Sequence, residues 1–187
     1  MSDLVQGAID DTVLYRQLTR ISALLGYKIL EKELPGDVTG ENSGNIFKAI
    51  IIDPNYPIRK RMYTLTHEIM HILLPEEDFI CRDFAEIVVY LATYGVLLAW
   101  GYDDSHDTKY GIVKHVLKLS ENRLLFESFS KRVPSEEMIY NFMRMAVSSL
   151  AVAGGMLTEK HLVMDVGQSM QQVIKLMPKE LKELWRK

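Results

Sequence analysis

Residues 64–74, Thr-Leu-Thr-His-Glu-Ile-Met-His-Ile-Leu-Leu, constrain this chain more than any other stretch. They contain H-E-x-x-H, a pattern with a mechanical meaning on a helix. Side chains four apart lie one turn apart on the same face, so His67 and His71 can hold one metal ion between them. Glu68 is offset from that pair and suits a metal-bound water better than the metal. The flanks agree with a helix: Pro57 fits a helix start, and Pro75 cannot continue one. Met62, Leu65, Ile69, Ile72 and Leu73 recur at three- and four-residue steps and cluster on one side. The histidines fall on the other side, so one face is expected in a core and the other in a cleft.

Catalytic zinc takes three protein ligands and leaves one position for water. The third ligand must come from a later element. Glu86, 15 residues after His71, stands alone at the edge of an apolar stretch, Phe84-Ala85 before it and Ile87-Val88-Val89 after. A carboxylate buried there needs a partner. Asp83, three residues earlier and on the same helical face, is the rival; otherwise it can accept a hydrogen bond from a histidine ring. His106 and His115 are further candidates for stabilising a transition state, and Tyr90, Tyr94, Tyr102 and Tyr110 are candidate phenol donors to an oxyanion. His161 has the profile of an ordinary surface or core histidine. Cys81 is a poor ligand candidate, because it precedes the turn that presents Glu86.

The remaining sequence frames this helix. Residues 10–26 have the periodicity of an amphipathic helix through Val13, Leu14, Leu18, Ile21, Leu24 and Leu25, with Gly26 as its stop. A short strand is expected within 27–34. Pro35-Gly36-Asp37 and Gly40-Glu41-Asn42-Ser43-Gly44 read as turns. Ile46 to Ile52 reads as a strand leading through a proline-containing loop to the metal helix, and its edge suits an extended peptide. Helices follow at about 79–100, 108–131, 135–154 and from 158 to about 177, with a charged, helix-prone tail. The class is therefore α+β: a mostly helical core, a small N-terminal β-sheet and C-terminal helices.

Composition excludes several alternatives. The net charge is −3, and local basic clusters such as Arg59-Lys60-Arg61 are short and read as a solvated helix start, so no direct nucleic-acid binding is expected. One cysteine permits neither an internal disulfide nor a cysteine-based zinc finger. The start lacks a basic segment followed by an apolar one, and the longest apolar run, Ile87 to Trp100, is short for a bilayer span. A cytoplasmic protein with no membrane association is expected.

The stretch from Arg59 to His71, with its Arg- and aromatic-containing lead-in and its Thr before His-Glu-x-x-His, resembles the metal helix of the ImmA/IrrE-like zinc metallopeptidases. The upstream order is similar too: a helix, Leu34-Pro35, a turn glycine, then a strand ending in a proline loop. Phe84 to Tyr110, with Ala85-Glu86 and Gly101-Tyr102-Asp103, is similar to zincin domains of mobile-element and antirestriction proteins. The resemblance covers residues 10–110 and implies a zincin-like metallopeptidase core over 1–110 with a helical extension over 111–187. It implies zinc on His67, His71 and Glu86, with Glu68 as general base, in a metalloendopeptidase of bacterial or phage origin acting on an intracellular regulatory protein. The alternative expectation is a zincin-fold protein, a phage or mobile-element regulator or counter-defence factor. It would act by binding a protein partner through its methionine-rich C-terminal helices, without proteolysis. The bland alternative is a helical module in which the motif is accidental.

Overall fold

The structure is a computed structural model that describes residues 10–74, 76, 81–99, 102 and 105–121. The helices expected at 135–154 and 158–177, the methionine-rich segment, His161, Pro75 and the tail lie outside the described residues.

The first helix, α1 (Asp11–Leu24), starts where Asp10 accepts the amides of Thr12 at 2.8 Å and Val13 at 3.3 Å. It ends before Gly26, whose φ of +85° is the left-handed turn glycine allows. Leu14, Leu18 and Ile21 are its core stripe. Val13 and Leu24, assigned to that stripe from their spacing, are exposed.

A three-stranded sheet follows, in the order β1 (Lys28–Glu31), β3 (Ala49–Ile52), β2 (Gly40–Asn42). The central strand β3 pairs in parallel with β1, Ile29 opposite Ile50, and antiparallel with β2, Glu41 opposite Ile51. Two expectations are corrected here. Gly40 to Asn42 is a strand rather than a turn. Its glycine lets β2 lie against α3 (Ile58–Leu73): a Cβ at Gly40 would sit 2.3 Å from the Thr64 methyl. The strand expected from Ile46 begins only at Ala49. Gly44–Phe47 is instead one helical turn, α2, and Lys48 takes a left-handed φ of 45°. The Ser43 hydroxyl closes that loop, accepting from the Ala49 amide at 3.0 Å and donating to the Ala49 carbonyl at 2.9 Å. Ile46 and Phe47 are left exposed, at 88% and 78%.

The loop between β3 and α3 is held by Asp53, whose carboxylate accepts the amides of Leu34 at 3.0 Å and Asn55 at 2.9 Å. Those bonds hold its carboxyl below the usual range. Beyond the loop, α3 is buried on every side from Met62 to Met70. Leu65 and Ile69 are fully enclosed; truncating either to alanine is expected to cost about 2–5 kcal/mol.

The last two described helices are α4 (Arg82–Ala99) and α5 (Ser105–Glu121), which pack on one another, with α4 also against α3. The carbonyl of Cys81 opens α4 by accepting from Phe84 and Ala85. Val88, Leu91, Ala92 and Val96 are fully buried, in accord with the apolar run read as a buried helix. α5 begins three residues before Thr108 and runs unbroken across residue 110. The described fold is α+β, and among its described residues no helix is long and apolar enough to cross a membrane.

The basic cluster at the start of α3 is a set of clips rather than a solvated face. Lys60 pairs with Asp107 of α5. Arg61 reaches Glu31 of β1 at 3.0 Å and lies over the ring of Tyr15 on α1. Arg59 lies over Tyr102. Each cation joins the metal-motif helix to a different element, and the stacked guanidiniums add cation–π contact.

Candidate metal centre

Two helices converge on one point. From α3 come His67 and His71, one turn apart; from α4 comes Glu86, in its second turn. The two Nε2 atoms are 3.2 Å apart, and Glu86 Oε2 lies 3.5 Å from that of His67 and 3.4 Å from that of His71. The triangle has a chemical meaning. Around a tetrahedral ion with bonds of about 2.0–2.1 Å, ligand atoms are separated by roughly 3.3–3.4 Å. The three edges match that spacing, so these side chains fit a tetrahedral ion with one position left over.

Burial sets the electrostatics. His67 is enclosed, and desolvation pushes its pKa down despite the bond to Glu86. For His71 burial acts in the same direction, but its bond to Glu86 and the charges of Glu86 and Glu68 outweigh it, and the pKa is raised. Burial would raise the Glu86 carboxyl; the hydrogen bonds and charge of both histidines hold it well below the usual carboxylate range. Arg82, at 3.8 Å, is its exposed neighbour one turn away. His67 Nδ1 is buried and has no partner among the described residues. A ligating imidazole ordinarily donates from that nitrogen, so this feature departs from the usual support of a metal histidine.

Glu68 is buried beside the triangle and outside it. Desolvation pushes its carboxyl up to about 7, with His71 opposing and Glu86 and Glu41 of β2 adding to the rise. A carboxyl with a pKa near neutrality can both take and return a proton.

The histidine face was expected to look into a cleft. It is more enclosed than that, because α4 lies over it: His67 and Glu68 are each 9% exposed, and only the His71 side chain, at 23%, opens outward.

Glu86, not Asp83, stands with the histidines. Asp83 instead accepts a hydrogen bond from His115 Nδ1 at 2.7 Å and lies 3.9 Å from Lys118; His115 is not one of the clustered histidines, so Asp83 is not the direct support of a metal histidine that the sequence offered as its other role. Of the other histidines, His106 is almost fully exposed on α5, 3.8 Å from Asp107, and belongs to no metal-ligating cluster among the described residues. The tyrosines separate as clearly. Tyr94 is core, Tyr110 is exposed, and Tyr102 donates to Asp11 at 2.8 Å. Tyr90 packs on a candidate ligand, its ring centroid 4.5 Å from that of His67. Burial raises its phenol to about 12, helped by Glu86 and Glu68, so it stays protonated.

Sequence reasoning passed over Gly111. A Cβ there would stand 2.3 Å from the Tyr90 ring, so this glycine is the seat on which the wall of His67 rests. A glycine inside a helical pattern often has such a packing reason.

Comparison of the chain with protein-family models, with curated proteins and with solved structures returned no match.

Proposed function

We propose that this chain is a zinc-dependent endopeptidase of zincin type, with His67, His71 and Glu86 as ligands and Glu68 as general base. The observation that carries the reading is the ligand triangle, with edges of 3.2, 3.4 and 3.5 Å, beside a buried carboxyl that is not part of it. The likeness of residues 59–71 to the metal helix of ImmA/IrrE-like metallopeptidases supports it, and with it an intracellular regulatory protein as substrate. Bound zinc would supply a polarised carbonyl and a water acidified to near neutrality.

The protein's own groups divide the remaining work. His67 and His71 hold the ion from one helix and Glu86 from another, so the site depends on the α3–α4 packing. Glu68 takes the water's proton on Oε and returns it to the leaving amine. Its desolvated position gives it the affinity for a proton that this transfer needs, and a cation alongside draws that affinity down towards the carboxylate. The buried surround excludes bulk water, which strengthens each charge interaction. The test is the Glu68→Gln protein. It should bind one zinc per chain, by elemental analysis, and cleave nothing that the parent cleaves; cleavage by that variant sinks the mechanism.

A second reading keeps the zincin-like frame and acts by docking on another protein. The adjacent exposed side chains Ile46 and Phe47, beside the edge strand β2, favour it. A biological activity that survives Glu68→Gln and is lost on Phe47→Ser would establish this reading.

A further inference from the structure

Arg82 has no part in the roles assigned above, yet it stands beside the ligand triangle. Arg82, Glu86 and Tyr90 fall at i, i+4 and i+8 on α4, so they share one face. On α3, His67 and His71 lie one turn apart, with His71 in the last turn. Tyr90 packs on His67, its ring centroid 4.5 Å away, and closes that end of the site. Arg82 lies at the other end, in the first turn of α4, with Nε 3.8 Å from Glu86 Oε1. Its charge acts on His71, the ligand at that end. The two rows of side chains therefore run in opposite directions, with Arg82 beside His71.

Exposure is graded along the same line. The side chains of His67 and Glu86 are 11% and 13% exposed, that of His71 23% and that of Arg82 77%. Among the described residues the triangle opens at the Arg82 end, so a substrate that reaches it passes the guanidinium. Glu86 does not saturate that group. At 3.8 Å the contact is an ion pair too long for a hydrogen bond, and neither amino group of Arg82 is bonded among the described residues. The contact is to Oε1, whereas Oε2 faces the histidines. Asp83, next in the chain, is engaged by His115 at 2.7 Å and by Lys118 at 3.9 Å. Glu68 and Glu86 make the interior acidic, so the rim guanidinium, and not the interior, suits an anionic group.

We propose that Arg82 determines specificity: its guanidinium pairs with a carboxylate of the substrate beside the bond that is attacked. This deepens the peptidase reading above and rests on it. The carboxylate is a chain end or an acidic side chain, since both present the same two oxygens. A planar guanidinium can donate two parallel N–H bonds to them, a match that the ammonium of a lysine does not reproduce. An ion held on Glu86 Oε2 would draw on the charge of that carboxylate, which leaves the guanidinium freer for the substrate. The substrate class is a peptide with a negative charge at a residue adjoining the scissile bond.

The experiment uses the zinc-loaded full chain and three probes that share one metal-binding hydroxamate. Malonyl monohydroxamate is joined to leucinamide, to leucine with its free carboxylate, or to glutamate α-amide. The first is neutral, the second carries a chain-end carboxylate and the third a side-chain carboxylate. Affinities are read by calorimetry beside zinc content. At least one anionic probe should bind about 5- to 20-fold more tightly than the neutral one, the value of a charge-assisted bond discounted for an exposed guanidinium. Which probe gains identifies the source of the carboxylate. Arg82→Gln should erase the preference and keep one zinc per chain, and Arg82→Lys should restore it only in part. Equal affinity of the parent for all three probes, or a preference that survives Arg82→Gln, would overturn the role of Arg82 and leave the metal site standing. So would an equal loss for all three probes in that variant, or a zinc-loaded parent that binds none of them. A parent that takes up no zinc overturns the peptidase reading, and this inference with it.

Discussion

The Tyr90 ring rests on the bare backbone of Gly111, two helices from the motif it supports: a side-chain carbon at that position would lie 2.3 Å from the ring's Cε1 and Cζ. Since Tyr90 also stacks on His67, any push at Gly111 is transmitted to a candidate ligand. An alanine in mid-helix ordinarily stabilises by about 1 kcal/mol relative to glycine. Here the sign should reverse. Gly111→Ala is expected to cost about 1–3 kcal/mol through overpacking, measured by urea denaturation, and to weaken zinc binding. Tyr90→Ala should relieve the clash, so that the double variant is less destabilised than the sum of the two singles. Additive effects would show that the contact is unimportant.

Glu68 is expected to lower the stability of the metal-free protein at neutral pH. Its carboxyl titrates near 7 in the fold against 4.5 for the unfolded chain, so the folded state holds its proton longer. Stability from this group is complete below about pH 4.5 and is lost as pH rises through 7, by up to about 3 kcal/mol. Glu68→Gln removes the titration. The variant should be more stable than the parent at pH 8, and the advantage should vanish by pH 4. Parallel stability curves for the two proteins would contradict the burial argument. The same substitution that removes turnover thus firms the fold, the trade expected of a catalytic group held in an unfavourable environment.

What the sequence made legible, and what it hid, follows from range. Spacing alone paired His67 with His71, because a helix fixes that geometry locally. Glu86 was legible as a lone carboxylate at the edge of an apolar run, and the structure brings it to both histidines. The short strand β2 was hidden. Gly40, Glu41 and Asn42 have turn chemistry, and only the pairing with β3 and the contact with Thr64 make them a strand. The apolar run from Ile46 pointed the other way. Its first two residues satisfy strand propensity yet are exposed, because the Ser43 hydroxyl closes a turn that propensity does not register. Arg59, Lys60 and Arg61 looked like solvated charge because their partners, on α1, β1 and α5 among others, are up to 47 residues away in sequence. Tyr90 was one of four equivalent tyrosines until packing singled it out.

The approach of β2 to the motif helix gives a further prediction. The Thr64 hydroxyl is bonded to the Lys60 carbonyl at 3.0 Å and to Thr39 at 2.9 Å, which fixes its methyl against Gly40. Gly40→Ala has no room and should destabilise by about 1–3 kcal/mol. Thr64→Ser removes the methyl and keeps both hydrogen bonds. It should therefore rescue Gly40→Ala while having a small effect alone, measured by thermal unfolding of all four proteins. Failure of the rescue would place the strain elsewhere, at the Ile51 carbonyl or the Ile52 side chain.

Glu86 and Asp83 should separate cleanly in metal binding and in acid. Only Glu86 points at both histidines, so Glu86→Gln should lower zinc content and Asp83→Asn should not, by elemental analysis of dialysed protein. The pH dependence gives an independent check without metal. The histidines hold the Glu86 carboxyl well below its unfolded value, so its contribution to stability is present above about pH 4.5 and is lost as pH falls through the lower, folded value. Metal-free Glu86→Gln should therefore be less stable than the parent at pH 7, and the gap should narrow as the solution is made strongly acidic. A gap that is constant from pH 7 to pH 3 would mean that the carboxylate is not paired with the histidines in solution. Zinc lost from Asp83→Asn as readily as from Glu86→Gln would move the third ligand one turn back along α4.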